Sequence, residues 1–167
     1  MIQRVLVCAI AAGLLWPVRV AASAPPGETA DLYPGVGQIL PPFTAQTIDG
    51  SPREIAYPKG STTVLLFFLS SCPTCHRMLP EWNRAWERRP KGLEVIAVML
   101  DREPPGWFTI NPVAFPVVRS PGRAFLDAYK VHRVPVTVRV GAGGQVQDVG
   151  QGILDPIRLG ELFRPPD

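Results

Sequence analysis

Cysteine is scarce in this chain: 3 among 167 residues, with only 2 histidines. So few cysteines exclude a disulfide-stapled scaffold, and a chain of this length buries a real core without staples. The histidines, His76 and His132, are too few to form a metal cage without further ligands. No basic run and no RNA-binding motif occurs, so the formal charge of +3 points to no nucleic-acid partner. An apolar stretch of the ~20 residues that a comfortable membrane span needs is also missing. Proline, by contrast, is frequent: 20 residues, many of them before residue 60 or between 104 and 116.

The N-terminus reads as a targeting segment. Met1-Ile2-Gln3-Arg4 is a short positive start, Val5 to Trp16 is apolar, and Pro17 and Arg19 end the run before the small residues of "VAASA". This is the layout of a secretory signal peptide over 1–24, with cleavage after Ala22 or Ala24. An uncleaved membrane anchor is the alternative. Cys8 falls within the discarded segment, so the mature chain keeps Cys72 and Cys75 alone. Loss of Arg4 and Arg19 from the 17 basic residues leaves it one positive charge above its 14 acids. Periplasmic or other extracytoplasmic export puts the two cysteines in an oxidising compartment, where free thiols need an electron source.

Residues 25–41 form a Pro/Gly-rich leader with Leu32, Tyr33 and Ile39 as contacts to a single domain over 42–167. "FTAQTIDGSPREI" predicts a short hairpin around Asp49-Gly50. "TTVLLFFL" (62–69) is an unbroken β-branched and apolar run, the pattern of a strand buried on both faces, and "LEVIAVML" (93–100) is the next buried strand. Between them Pro73 suits the first turn of a helix. Cys75, Met78, Leu79, Trp82 and Trp86 give that helix one apolar stripe, and Pro80 should kink it. Strand, helix, strand implies a right-handed parallel unit.

Residues 101–116 should be a loop with at most a short helix at Trp107 and Phe108, and "FPVV" a short strand end. "GRAFLDAYKV" suits a helix with Ala124, Phe125, Ala128 and Tyr129 inward. "PVTVRV" and "QVQDVG" flank Gly141–Gly144 as an antiparallel hairpin. "DPIRLGELF" closes as a helix with Asp155 as N-cap and Pro156 at its first position.

The chemistry lies in "SSCPTCHRMLP", residues 70–80. Cys72 sits where a helix begins, and backbone N–H groups and the helix dipole favour an anion there. It is the expected exposed nucleophile. Cys75, one turn on and within the apolar stripe, is the expected buried resolving thiol. A purely structural disulfide would close a tiny loop and add little stability. A metal site, with His76 or His132 as further ligands, is the other alternative.

Further residues extend this motif. "FFLSSCPTCHRMLP" with Pro80, "FPVVRSPGRAFLDAYKVHRVPVT" with Pro135, and "GGQVQDVGQG" with Gly150 together resemble the thioredoxin superfamily. The resemblance is closest to the exported branch of TlpA, ResA and the cytochrome c maturation proteins CcmG/DsbE, within the redoxin group. It covers roughly 36–163 and implies an α/β thioredoxin-like fold: a central mixed β-sheet flanked by helices, with a short N-terminal β-hairpin extension. It implies a thiol-disulfide oxidoreductase acting as a reductant of protein disulfides, in the maturation of cytochrome c or another cofactor protein. No cofactor is implied beyond the redox-active disulfide Cys72–Cys75, and no resident metal.

By the same resemblance, Pro135 is a cis-proline and Val134 before it offers its backbone to a substrate peptide. Pro73 and Thr74 complete the substrate-binding surface. A membrane electron donor of the DsbD/CcdA type and a monomeric state are the implied partner and assembly. Three residues depart from the family pattern: Ser71 stands for the usual Trp, Leu66 for a buried acid, and Val136 for an acidic residue after the cis-proline. Leu69 stands where peroxiredoxins carry Thr or Ser, which argues against peroxidase chemistry. A copper-handling accessory protein and a DsbA-like oxidase are the competing functions; Thr74 lacks the His of strong oxidants.

Overall fold

A computed structural model describes residues 32–165. The signal segment with Cys8, leader residues 25–31, and residues 166–167 lie outside the described part. In chain order the elements are β1 (Phe43–Thr47), β2 (Pro52–Ile55), β3 (Thr62–Phe68), α1 (Pro73–Glu87), β4 (Leu93–Met99), α2 (Trp107–Ile110), β5 (Val117–Arg119), α3 (Arg123–Tyr129), β6 (Val136–Val140), β7 (Val146–Gln151) and α4 (Pro156–Leu162).

The strands form one mixed sheet in the order β2-β1-β5-β4-β3-β6-β7. Strand β3 lies inside the sheet, and every one of its residues is apolar or β-branched and buried. It runs parallel to β4, from Thr62 opposite Leu93 to Phe68 opposite Met99. Against β6 it is antiparallel, with Phe67 opposite Val136. The crossover through α1 makes the parallel unit that the sequence order implies. The hairpin β1–β2 extends the far edge of the sheet. Strand β5 is short as expected, but it lies inside the sheet, between β4 and β1.

Alternation along β3 divides the core. Val64, Leu66 and Phe68 face α1, α2 and α4; Leu65 and Phe67 face α3 and the leader. Helix α1 runs through Pro80 and buries Cys75, Met78, Leu79 and Trp82. The Trp82 indole N–H reaches Thr137 Oγ1 at 3.1 Å, which satisfies the only polar atom of a fully buried ring. Trp86, expected in the same stripe, packs on the core but stays half-buried, with the Arg89 guanidinium 3.3 Å from its ring centroid.

Two further expectations are corrected. Ala124 and Ala128 are exposed. The seven-residue α3 meets the sheet through Phe125 and Tyr129, whose rings are 4.2 Å apart, so residues one place before each point away. Ile39 is 62 % exposed: its main chain bridges Gln145 while the alternation sends Leu40 inward. Tyr33 does pack on the core, and the Leu32 carbonyl accepts the His132 N–H at 3.1 Å.

The leader is thus tied to the domain. The Tyr129 hydroxyl bonds both the Tyr57 hydroxyl, at 2.9 Å, and the Pro41 carbonyl. Arg139 of β6 is fully buried and donates to the Leu162, Arg164 and Pro165 carbonyls and to Gln147 Oε1, so a strand residue closes the end of α4. Asp155 caps the start of that helix by accepting the Arg158 N–H at 2.8 Å, with Pro156 next in line as expected.

Gly143 and Gly144, in the β6–β7 connection, both have positive φ. They differ in surroundings: a Cβ on Gly143 would meet open space, and one on Gly144 would lie 2.1 Å from the Leu40 carbonyl oxygen. Gly143→Ala should therefore lose only the left-handed backbone penalty of about 1–2 kcal/mol. Gly144→Ala should lose a further ~1–3 kcal/mol through overpacking against main chain. Urea unfolding of the two variants measures the difference; equal losses would show that the leader yields to the added methyl.

Candidate active site

The site forms where β3 ends. The parallel register, extended two places past Phe68 and Met99, sets Ser70 beside Asp101. The antiparallel register, extended the other way past Phe67 and Val136, sets Leu69 beside Val134. The chain then turns through Ser71 into α1, so one strand end brings together the cysteine turn, an acid from β4's end and the residues before β6.

Cys72 is the N-cap of α1, with extended backbone angles, and Pro73 follows at the position where its missing N–H costs nothing. Cys72 is half-buried and its Sγ accepts the Cys75 N–H at 3.2 Å; Cys75 is fully buried. Both are thiols. Burial pushes the Cys75 thiol up to about 12, and the adjoining Cys72 sulfur and the charge of Asp101 push the same way. A backbone hydrogen bond at Leu69 opposes them. The expected order, first cysteine accessible and second enclosed, is the one observed.

Asp101 is the part of the site that the sequence reading missed. Its Oδ1 accepts the Ser70 N–H at 2.7 Å, and its Oδ2 accepts the Ser70 hydroxyl at 3.0 Å, the Ser71 N–H at 3.1 Å and the Ser71 hydroxyl at 3.0 Å. Partial burial works against the ionised carboxyl, but these four bonds outweigh it and hold the group below its ordinary value. The Ser70 carbonyl is engaged from the other side, by His76 Nε2 at 2.6 Å and Trp107 Nε1 at 3.0 Å. A carbonyl only accepts, so Nε2 of His76 carries its hydrogen there.

The sequence-named residues sort as follows. The Val134–Pro135 peptide is cis. Among the described residues, no hydrogen bond engages the main-chain N–H or C=O of Val134, whose side chain packs on both halves of the core. The Pro135 carbonyl is taken by the Gly152 N–H at 2.9 Å. Pro73 is exposed and Thr74 half-buried on the first turn of α1. Trp107 is buried beneath Ser70, not displayed as a docking aromatic, and Phe108 is half-buried beside it. His132 and Arg133 are exposed just before the cis peptide. Among the described residues, no group of three or more His, Cys, Asp or Glu side chains is placed to hold a metal ion. No described helix is long and apolar enough to cross a membrane.

A family model described as Redoxin matches residues 35–158. The chain belongs to the Redoxin family. It is 27 % identical over 117 residues to a thiol-disulfide oxidoreductase ResA of Halalkalibacterium halodurans, a match spanning 66 % of this chain and 65 %, just under two thirds, of that protein. It is 27 % identical over 122 residues to the ResA of Bacillus subtilis, spanning 71 % of this redoxin chain and 68 % of the relative. Among solved structures, StoA from Bacillus subtilis superposes with a TM-score of 0.64 at 21 % identity, covering 75 % of this chain and 98 % of StoA. The pneumococcal exposed lipoprotein thioredoxin of Streptococcus pneumoniae gives 0.63 at 18 %, covering 74 % and 98 %. The thioredoxin-like fold and the resemblance to the ResA branch both stand.

Two outcomes follow from the site of this redoxin. At pH 8, iodoacetamide should modify Cys72 at least ~10-fold faster than Cys75, read by peptide mass spectrometry, because only a thiolate reacts and Cys75 is enclosed and held protonated. Equal labelling would show that the first turn of α1 opens. The Asp101 clasp should appear in acid. A carboxyl held below its unfolded value of ~3.9 stabilises the fold above that pH, and the stabilisation is lost as pH falls through the lower folded value. The double variant Ser70→Ala, Ser71→Ala should lose about 1–3 kcal/mol at pH 7 and clearly less at pH 2.5 in urea unfolding.

Proposed function

We propose that this redoxin is an extracytoplasmic thiol-disulfide oxidoreductase that reduces protein disulfides. The observation that carries the reading is the asymmetry of the pair at the head of α1: an accessible Cys72 whose sulfur accepts a main-chain N–H, and an enclosed, protonated Cys75 one turn away. The ResA relatives are named thiol-disulfide oxidoreductases, which supports the exchange chemistry.

The steps follow from that asymmetry. The accessible Cys72, as its thiolate, attacks one sulfur of a substrate disulfide. A Cys72–substrate disulfide forms, and the second substrate sulfur leaves as a thiolate that takes a proton. Burial keeps Cys75 protonated beforehand, as does the neighbouring Cys72 sulfur. Once Cys72 is in a mixed disulfide its charge is gone, and that part of the restraint is lifted. Cys75 then gives up its proton and attacks Cys72 Sγ, forming Cys72–Cys75 and releasing the reduced substrate. The substrate gains two electrons and the pair loses two. A dithiol donor returns the pair to thiols by the reverse exchange.

The unengaged main chain of Val134, which packs on the same core cluster as Cys72, supports pairing with an extended substrate segment, with Pro73 and Thr74 as the other wall. The apolar segment near the N-terminus supports export, and a reductant outside the cytoplasm requires a membrane donor of the DsbD/CcdA kind. A monomer suffices for this chemistry.

Cys72→Ser should cut turnover with insulin or glutathione disulfide by about two orders of magnitude or more. Cys75→Ser should accumulate a mixed disulfide through Cys72, visible as a mass shift under non-reducing conditions. If both single variants kept half or more of the turnover, the exchange reading would be wrong. Stoichiometric Cu(I) that blocks exchange would favour a copper-handling binding protein instead.

A further inference from the structure

The four hydrogen bonds on Asp101 occupy every donor of the two residues preceding Cys72. His76 and Trp107 hold the Ser70 carbonyl as well, so the turn is gripped from both sides. The carboxylate belongs to a different strand, so the turn is pinned to the sheet and not merely to its own helix. It also brings a full negative charge to the rear of a dithiol whose front is the positive end of α1. We propose that Asp101 is a positioning residue that sets the redox balance of the pair: its carboxylate fixes the turn from which Cys72 projects, and its charge favours the disulfide over the thiolate form. The inference rests on the exchange reading above.

Reduction of the disulfide by two glutathiones creates two protein thiols and one glutathione disulfide. Wherever one protein thiol is ionised, a fixed anion behind it disfavours the reduced form. Removing the anion therefore makes the pair easier to reduce, and only at pH values where a thiolate is present. A loosened turn, in contrast, shifts the equilibrium alike at all pH values.

Other charged groups nearby must be weighed. Helix α1 contributes Cys72, Cys75 and His76, whose Nε2–H is committed to Ser70. Helix α2 contributes Trp107 and no charge. On Asp101's own loop Arg102 is exposed, and Glu103 is paired with Arg119 of β5. A charge-removing substitution at position 101 leaves that ion pair in place. Ser71 supplies both its N–H and its hydroxyl to the carboxylate.

The test is equilibration of wild type, Asp101→Asn and Asp101→Ser with glutathione buffers at pH 5.5, 7 and 8.5, read by acid quench and thiol trapping. Asp101→Asn leaves the Ser71 N–H facing an amide nitrogen, so Asp101→Ser, with room for water, is the second route to the same loss of charge. Ser71→Ala keeps the charge and removes one hydroxyl bond. The expected result is a glutathione equilibrium shifted towards the dithiol by about tenfold at pH 8.5, or about 30 mV for this two-electron couple. The shift should shrink to within about twofold at pH 5.5, with Ser71→Ala offset uniformly at all three values.

A pH-independent shift, no shift, or failure of both charge-removing variants to fold would overturn the proposal and leave Asp101 a structural residue. If wild type itself forms no reversible disulfide in these buffers, it is the oxidoreductase reading that fails, so the two results are distinguishable.

Discussion

The pairing of β3 with its two neighbours is the constraint on which the site depends. Register with β4 decides which residue lies beside Ser70, and register with β6 decides which lies beside Leu69. A one-place slip would turn Phe68 and Phe67 to the wrong halves of the core, so burial locks both registers at once. The cost of misplacing such fully buried rings, about 3–5 kcal/mol each when truncated, is far larger than any single hydrogen bond at the site. The core therefore sets the coordinates, and the polar clasp of Asp101 refines them.

Opposed fields meet at the cysteine pair. The first turn of α1 offers N–H groups and the positive end of a helix to Cys72, while burial and the carboxylate behind the turn act against charge on Cys75. The result is a division of labour imposed by position: one sulfur able to meet solvent and bear charge, the other withheld until its neighbour has reacted. No residue of the CPTC stretch brings a formal charge of its own, since Pro73 and Thr74 are neutral. The balance must then come from the helix, from depth, and from what lies outside the tetrapeptide.

Much of this was legible in the sequence, for identifiable reasons. Long apolar and β-branched runs marked β3 and β4 because strands in the middle of a sheet bury both faces, and Pro73 and Pro156 marked helix starts because a missing N–H is harmless in a helix's first turn. The joint occurrence of the cysteine motif, Pro80 and "VPVT" pointed to the family and to the cis Val134–Pro135 bond. Asp101 stayed hidden because its partners are 30 and 31 residues away, linked only through strand register. Its signal was an acid just past the end of a buried strand, level with two serines just past the end of the adjacent one. Arg139 stayed hidden for a related reason: its guanidinium is engaged by the Leu162, Arg164 and Pro165 carbonyls, and main-chain acceptors from a later helix leave no residue-type pattern in the sequence. The inward alanines of α3 and the buried Trp86 failed because periodicity gives a face, not how deeply each residue on it is buried.

The central claim is that a pair with no charged residue between its cysteines, backed by a carboxylate, works as a reductant. Its most direct test is the reduction potential of the wild-type pair at pH 7, measured by equilibration with glutathione or dithiothreitol and quantified by thiol trapping. The account predicts a value nearer the ~−270 mV of thioredoxin than the ~−120 mV of DsbA. A potential above roughly −160 mV would contradict it and make the protein an oxidant of thiols.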